Sequence, residues 1–134
     1  MGPPQSAVLH HRELDFDRGD AEACGAGIAC VRQAVADWDL AAADDATLVA
    51  AELLTNALKH AGGPRRLSLD HSGGVLRIAV TDRSPSPPHL GAHRADAIGG
   101  HGVFIVDQLA LRWGTRPEGA GKTVWADLRM VPRR

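Results

Sequence analysis

A helix that is apolar on nearly every side is predicted over residues 44–60, and it limits how this chain can fold. Asp44 and Asp45 suit the N-terminus of a helix, where carboxylates meet the positive end of the helix dipole. Gly62 and Gly63 stop the helix at its other end. Leucine, valine and alanine fill most positions between these signals, so the helix must be largely buried against another layer of structure.

The spacing of apolar residues divides the rest of the chain into further helices and strands. Asp20 is suited to cap a helix, and Gly73 and Gly74 mark a hairpin between two alternating segments. Helices are predicted over 20–38 and 101–110, and strands over 7–14, 66–71, 75–82, 112–115 and 122–130, with a turn over 116–121 and the first strand at a sheet edge. This order predicts one α+β domain over residues 1–134, with helices on a mixed, largely antiparallel sheet.

The charges and the apolar segments argue against several kinds of partner. The 15 basic and 16 acidic residues are interspersed and give a net charge of -1, so we expect no direct nucleic-acid binding. Apolar runs stay well below the roughly 18 residues that a membrane span needs, and the first residues lack the apolar block of a signal peptide. We therefore expect a cytoplasmic protein without a membrane partner.

The two cysteines are predicted to be reduced. Cys24 and Cys30 lie six residues apart in a helical pattern, which separates them by about 9 Å along the helix axis. This separation is beyond the reach of a disulfide. Buried thiols are the expected state.

Four polar residues share one face of the helix over 44–60, namely Glu52, Asn56, Lys59 and His60. A solvated face of an amphipathic helix is one interpretation of this stripe. The other is a polar cleft in which Glu52 accepts a proton from a nucleophile and Asn56 supplies an oxygen ligand to Mg²⁺. The stripe alone does not decide between them.

Two further sites in the sequence have a functional and a structural interpretation. Asp82 ends an apolar strand, where a carboxylate caps a loop or accepts a hydrogen bond from the exocyclic amine of a base. The glycines at 99, 100 and 102 precede an apolar helix, where they form a flexible hinge or present backbone amides to phosphate oxygens. The proline-rich residues 83–100 between these sites are predicted to form a mobile lid.

In order and spacing, four short blocks resemble the motifs of the ATPase superfamily that includes gyrase, heat-shock chaperones, histidine kinases and mismatch-repair proteins. The blocks cover residues 52–60, 80–82, 99–102 and 121–124. The shortness of the chain, together with the segments 106–109 and 112–114, is most similar to the stand-alone anti-sigma serine kinases. The resemblance covers nearly the whole chain.

The resemblance implies a two-layer sandwich of the histidine-kinase ATPase type that binds ATP and Mg²⁺. It implies roles for six residues: Glu52 as general base, Asn56 as Mg²⁺ ligand, Asp82 as reader of adenine, Gly100 and Gly102 as phosphate-binding amides, and Thr123 as a hydroxyl near the adenine. The implied reaction transfers a phosphoryl group to a serine of an anti-anti-sigma protein. The implied partners are that protein and a sigma factor, and a homodimer stays open.

One block departs from the family pattern. Where the family has D-x-G-x-G, this chain has Asp82, Arg83, Ser84, Pro85 and Ser86, which leaves less room for the backbone to approach a nucleotide. A partner-binding module of the same fold, with weak or no nucleotide binding, is therefore the alternative function. A fragment of a histidine kinase is disfavoured, since no dimerisation region with a phosphoacceptor histidine precedes the domain.

Overall fold

The computed structural model describes residues 9–86 and 101–133, with only the backbone of residues 101–104. These residues form five strands and three helices in the predicted order. In chain order the elements are β1 (His10–Asp15), α1 (Ala21–Asp37), α2 (Ala43–His60), β2 (Pro64–Ser72), β3 (Val75–Asp82), α3 (His101–Leu109), β4 (Arg112–Glu118) and β5 (Gly121–Arg129).

The described strands form one sheet in the order β1-β2-β3-β5-β4, and every neighbouring pair is antiparallel. The α+β class and the edge position of the first strand are confirmed. The expected parallel component of a mixed sheet is not found among these strands. Tight turns account for two of the four pairs, β2 with β3 and β4 with β5, because strands joined by a tight turn must run in opposite directions. The pairs of β1 with β2 and of β3 with β5 are antiparallel across longer connections.

The hairpin between β2 and β3 is the element that the sequence predicts most directly. Gly73 and Gly74 have φ angles of 58° and 78°. Two successive positive φ angles are typical of the turn that matches the twist of paired strands. The turn sets Leu69 opposite Ile78 and Leu67 opposite Val80, so that their apolar side chains share one face of the sheet.

Helix α2 forms the centre of the helical layer, since it packs against α1, α3 and β3. Its buried side chains meet those of the central strands in one apolar core, to which they contribute Ala46, Val49, Ala50, Leu53, Leu54 and Ala57. The predicted burial of this helix is therefore confirmed for most of its apolar positions. Leu48 is an exception and lies exposed.

The ends of α1 and α2 follow from local chemistry. The carboxylate of Asp20 caps α1 by accepting a hydrogen bond from the backbone N–H of Ala23, 3.1 Å away. Helix α2 ends where Gly63 adopts a φ of 99° and donates its N–H to the carbonyl of Ala57. A Cβ atom at Gly63 would also lie 2.2 Å from the carbonyl oxygen of Gly19, so this position requires glycine.

The predicted turn over residues 116–121 is shorter in the structure. Strand β4 continues through Pro117 to Glu118, and Gly119 and Ala120 alone connect it to β5. Pro117 lies on an edge strand, where its missing N–H costs no ladder hydrogen bond to a second neighbour. A proline at this place therefore does not end the strand.

Both cysteines carry free thiols, as predicted, and Cys24 is buried while Cys30 is half-buried. Burial raises the pKa of both thiols. Both thiols are therefore held in the protonated form. The Sγ of Cys24 donates to the carbonyl oxygen of Leu54, 3.5 Å away.

Most of the predicted lid, residues 87–100, lies outside the described residues. Its first residues, 83–86, are described and belong to the candidate site. Among the helices in the described part of the chain, none has the length and apolar character needed to cross a membrane.

Candidate functional site

Glu52 and Asn56 lie one helical turn apart on α2, at the border of its buried stripe. Both residues are half-buried, whereas Lys59 and His60 on the same face are exposed. Within the part of the chain that the structure describes, no hydrogen bond or ion pair is formed by the Glu52 carboxylate or the Asn56 amide. Two polar groups that the core partly desolvates are thus available to an external ligand.

Asp82 ends β3 on the sheet face that meets the helices. Its side chain is 3% exposed. One oxygen, Oδ1, accepts a hydrogen bond from the backbone N–H of Ser84 at 2.9 Å. The other, Oδ2, lies 2.9 Å from the Nζ of Lys122. Asp82 is therefore a buried carboxylate with both oxygens already engaged.

Lys122 is the second charged group of this buried pair. Its side chain is 6% exposed, and its Nζ also donates to the carbonyl oxygen of Ser84 at 3.1 Å. Removing one member of a buried ion pair typically costs about 3–5 kcal/mol, because the other charge is left without compensation. The pair therefore ties the end of β3 firmly to the beginning of β5.

The turn after Asp82 is held by side chains where the family pattern has glycines. The carboxylate of Asp82 receives the N–H of Ser84, and the Oγ of Ser84 receives the N–H of Ser86 at 3.2 Å. Such side-chain bonds stabilise a tight turn without the conformational freedom of glycine. The substitutions at 84 and 86 are thus compatible with an ordered start to the segment that follows β3.

Thr123, which the resemblance places near the adenine, does not share a face of the sheet with Asp82. Its hydroxyl is 2.8 Å from the hydroxyl of Thr81, its partner across β3 and β5. Thr81 and Asp82 are consecutive residues of a strand, so their side chains point to opposite faces of the sheet. Thr123 consequently lies on the face away from the helices.

The glycine segment is described only in part. Gly100 lies outside the described residues, and Gly102 lies in the first turn of α3. Helix α3 packs against α2, the helix that carries Glu52 and Asn56. An N-terminal helical turn presents backbone N–H groups that suit anionic oxygens, and the phosphate contact expected of Gly102 stays a prediction.

The C-terminus of α2 is joined to the turn that follows Asp82. The N–H of Arg83 donates to the carbonyl of Ala61 at 3.1 Å, and a Cβ atom at Gly62 would lie 3.3 Å from the Cβ of Arg83. This contact links the helix that carries Glu52 to the strand end that carries Asp82.

The arrangement fits the phosphate end of a magnesium nucleotide better than the base end. Asn56 offers an oxygen to a cation, Glu52 offers a base, and Gly102 lies at a helix N-terminus. Among the described residues, no group of three or more histidine, cysteine, aspartate or glutamate side chains could hold a metal ion without further ligands. At the base end, Lys122 already occupies the Asp82 carboxylate.

Lys122 is the residue that the sequence interpretation missed. The signal that could have found it is the two-residue period of β5. Lys122 shares one face of the strand with the buried residues Val124, Ala126 and Leu128. A lysine at a core-facing position needs a counter-charge. Asp82 is the acidic residue that ends the neighbouring strand on that same face.

Comparison with known proteins identifies the domain family. None of the curated proteins matches the chain significantly. The model of the histidine kinase-like ATPase domain matches residues 19–128, which include all three described helices, the hairpin of β2 and β3, β4 and all but the last residue of β5. By this match over most of its length, the chain belongs to the histidine kinase-like ATPase domain family.

Proposed function

We propose that the chain is an anti-sigma regulatory protein that binds Mg·ATP and phosphorylates a serine of an anti-anti-sigma protein. Phosphorylation would change which partner the protein binds. This partner exchange would control how much sigma factor is available. The observation that carries the proposal is the pair Glu52 and Asn56, half-buried one turn apart on α2. The match to the ATPase domain family supports nucleotide binding.

Each residue has a defined task in this proposal. Glu52 takes the proton from the serine hydroxyl that accepts the phosphoryl group, and its half-buried position limits competition from water. Asn56 orients the cation through its amide oxygen, and the amides of Gly100 and Gly102 receive phosphate oxygens. The bound nucleotide and its Mg²⁺ supply the phosphoryl group and offset its charge. Catalysis then rests mainly on positioning.

Replacement of Glu52 tests the catalytic part of the proposal. We expect Glu52→Gln to lower phosphoryl transfer by about 10²–10⁴-fold, since glutamine keeps the shape but is too weak a base. The affinity for Mg·ATP, measured by calorimetry, should change little. Transfer is measured with labelled ATP and purified candidate anti-anti-sigma proteins.

Glu22→Gln is the matched control, because Glu22 is an exposed glutamate in the first turn of α1. It should transfer phosphate at the parent rate. Equal rates in Glu52→Gln and the parent would instead make Glu52 a residue of a solvated helix face and refute its role as base.

A partner-binding module without catalysis is the second candidate, and the engaged state of Asp82 favours it. A carboxylate that already holds Lys122 and the Ser84 N–H is poorly prepared to read a base. Calorimetric titration with Mg·ATP separates the two candidates. Measurable binding supports the kinase, whereas no heat at millimolar nucleotide leaves only the binding module.

A further inference from the structure

The buried ion pair between Asp82 and Lys122 lies where the proposed function needs an accessible carboxylate. Their side chains are 3% and 6% exposed. Solvent therefore hardly reaches either group while the pair is formed. The pair closes the base end of the site in this conformation.

The hydrogen bonds of the pair make the conflict chemical as well as steric. The exocyclic amine of adenine donates hydrogen bonds, and so does the Nζ of Lys122. Oδ1 already accepts from the N–H of Ser84 and Oδ2 from Nζ, so an adenine amine would have to share an oxygen that another donor holds. The Nζ further bonds the carbonyl oxygen of Ser84, which strengthens its hold on the position.

Lys122 is brought to this place by the close approach of β5 to the end of β3. A Cβ atom at Gly121 would lie 2.0 Å from the carbonyl oxygen of Asp82, so the preceding residue must be glycine. Lys122 also lines a cleft of 270 Å³ together with Pro85, Thr115 and Arg116. The cleft lies next to the lysine on the side of β4.

We infer that Lys122 is a gate for the base pocket: adenine reaches Asp82 only after the ion pair opens and the lysine moves away. This inference rests on the proposed nucleotide binding and adds a regulatory residue to it. If the open state is a minor one, the apparent affinity falls in proportion to its population. A partner protein that contacts Lys122 or its cleft would then raise nucleotide affinity without touching the nucleotide.

The test measures the affinity for Mg·ADP by calorimetry in the parent and in Lys122→Thr. In the parent, nucleotide binding must first break the charged hydrogen bond between Lys122 and Asp82. Without the lysine this cost is absent, so Mg·ADP binding should tighten by about tenfold or more. The same gain should be absent for Mg·GDP, and it should vanish in the double variant Asp82→Asn with Lys122→Thr. Arg129→Thr, which removes an exposed positive charge from the same strand, should bind like the parent.

Lys122→Gln provides a second variant in case Lys122→Thr does not fold, because glutamine keeps a neutral hydrogen-bond donor for Asp82. The gain in Mg·ADP affinity should be smaller in this variant. Circular dichroism and thermal unfolding report whether each variant is folded. Equal or weaker Mg·ADP binding without Lys122 overturns the gate while leaving the proposed function intact. An equal gain for Mg·GDP also overturns it. No binding in any folded variant refutes the gate and the nucleotide-binding function together.

Discussion

Asp127 shows how a buried carboxylate organises the sheet face opposite the helices. Its side chain is 3% exposed, accepts two hydrogen bonds from Arg77 at 2.7 and 2.9 Å, and forms an ion pair with the Nε of Arg112 at 2.9 Å. Arg77 also lies 4.0 Å above the ring of Trp125. The hydrogen bond from Asp127 raises the pKa of Arg77. Three strands are thus joined by one carboxylate.

Asp127→Asn should lower the free energy of unfolding by about 1–3 kcal/mol, because the amide keeps the shape but loses the negative charge and the acceptor oxygen that Arg77 and Arg112 share. Urea denaturation measures the loss. Asp15→Asn is the control, since Asp15 is 66% exposed and pairs only with Arg66 among the described residues. The loss of unfolding free energy in Asp15→Asn should stay below about 1 kcal/mol. Similar losses in both variants would contradict the importance of burial.

At the scale of elements, the contact between α1 and α2 depends on a glycine. A Cβ atom at Gly27 would lie 2.8 Å from Leu54 Cδ1 and 3.4 Å from Phe16 Cζ. Leu54 is fully buried, so it cannot move aside without displacing its own neighbours. The two helices therefore pack more closely than an alanine at position 27 would allow.

Replacing Gly25 and Gly27 of α1 with alanine should change the stability of the protein in opposite directions. At Gly25 nothing lies within 4 Å of the added Cβ, so Gly25→Ala should raise stability by about 0.5–1 kcal/mol through helix propensity. Gly27→Ala should lower stability by about 1 kcal/mol through overpacking. Thermal and urea unfolding measure both changes. The loss at Gly27 should shrink in a Leu54→Ala background; if it does not, crowding against Leu54 is not its cause.

For the molecule as a whole, two polar contacts of the edge strand β1 set a pH dependence. The hydrogen bond with Asp70 on β2 raises the pKa of His11 above 6.5. Hydrogen bonds from Gln33 and Arg12 lower the pKa of Asp37, at the end of α1, below 3.8. The His11 contribution is complete below pH 6.5 and is lost as the pH rises through the raised pKa. The Asp37 contribution is complete above pH 3.8 and is lost as the pH falls through the lowered pKa.

Both contributions are thus present together between pH 3.8 and 6.5. His11→Gln should cost more stability at about pH 5 than at about pH 9, and Asp37→Asn should cost more at about pH 5 than at about pH 2. Both differences should be small because the groups are exposed. Urea unfolding across this range measures them. If the free energy of unfolding of each variant changes with pH in the same way as that of the parent, neither contact is linked to folding.

The sequence alone determined the helices and strands because their signals are local. Asp20 caps its helix within three residues, and Gly73 and Gly74 form a turn that any pair of strands would need. The shared face of Glu52 and Asn56 follows from helical geometry alone. The position of Asp82 at the end of a strand was also readable from the apolar run before it.

Only the tertiary structure decided which side chains meet across the sheet. The register of β3 with β5 joins residues 42 to 54 positions apart, and no local pattern specifies such pairings. This register turned Thr123 away from Asp82 and brought Lys122 to it. It also placed Pro117 on an edge, where a strand tolerates it. Side-chain direction in a strand reverses with each residue, so the identity of the residue beside Asp82 depends on a long-range register.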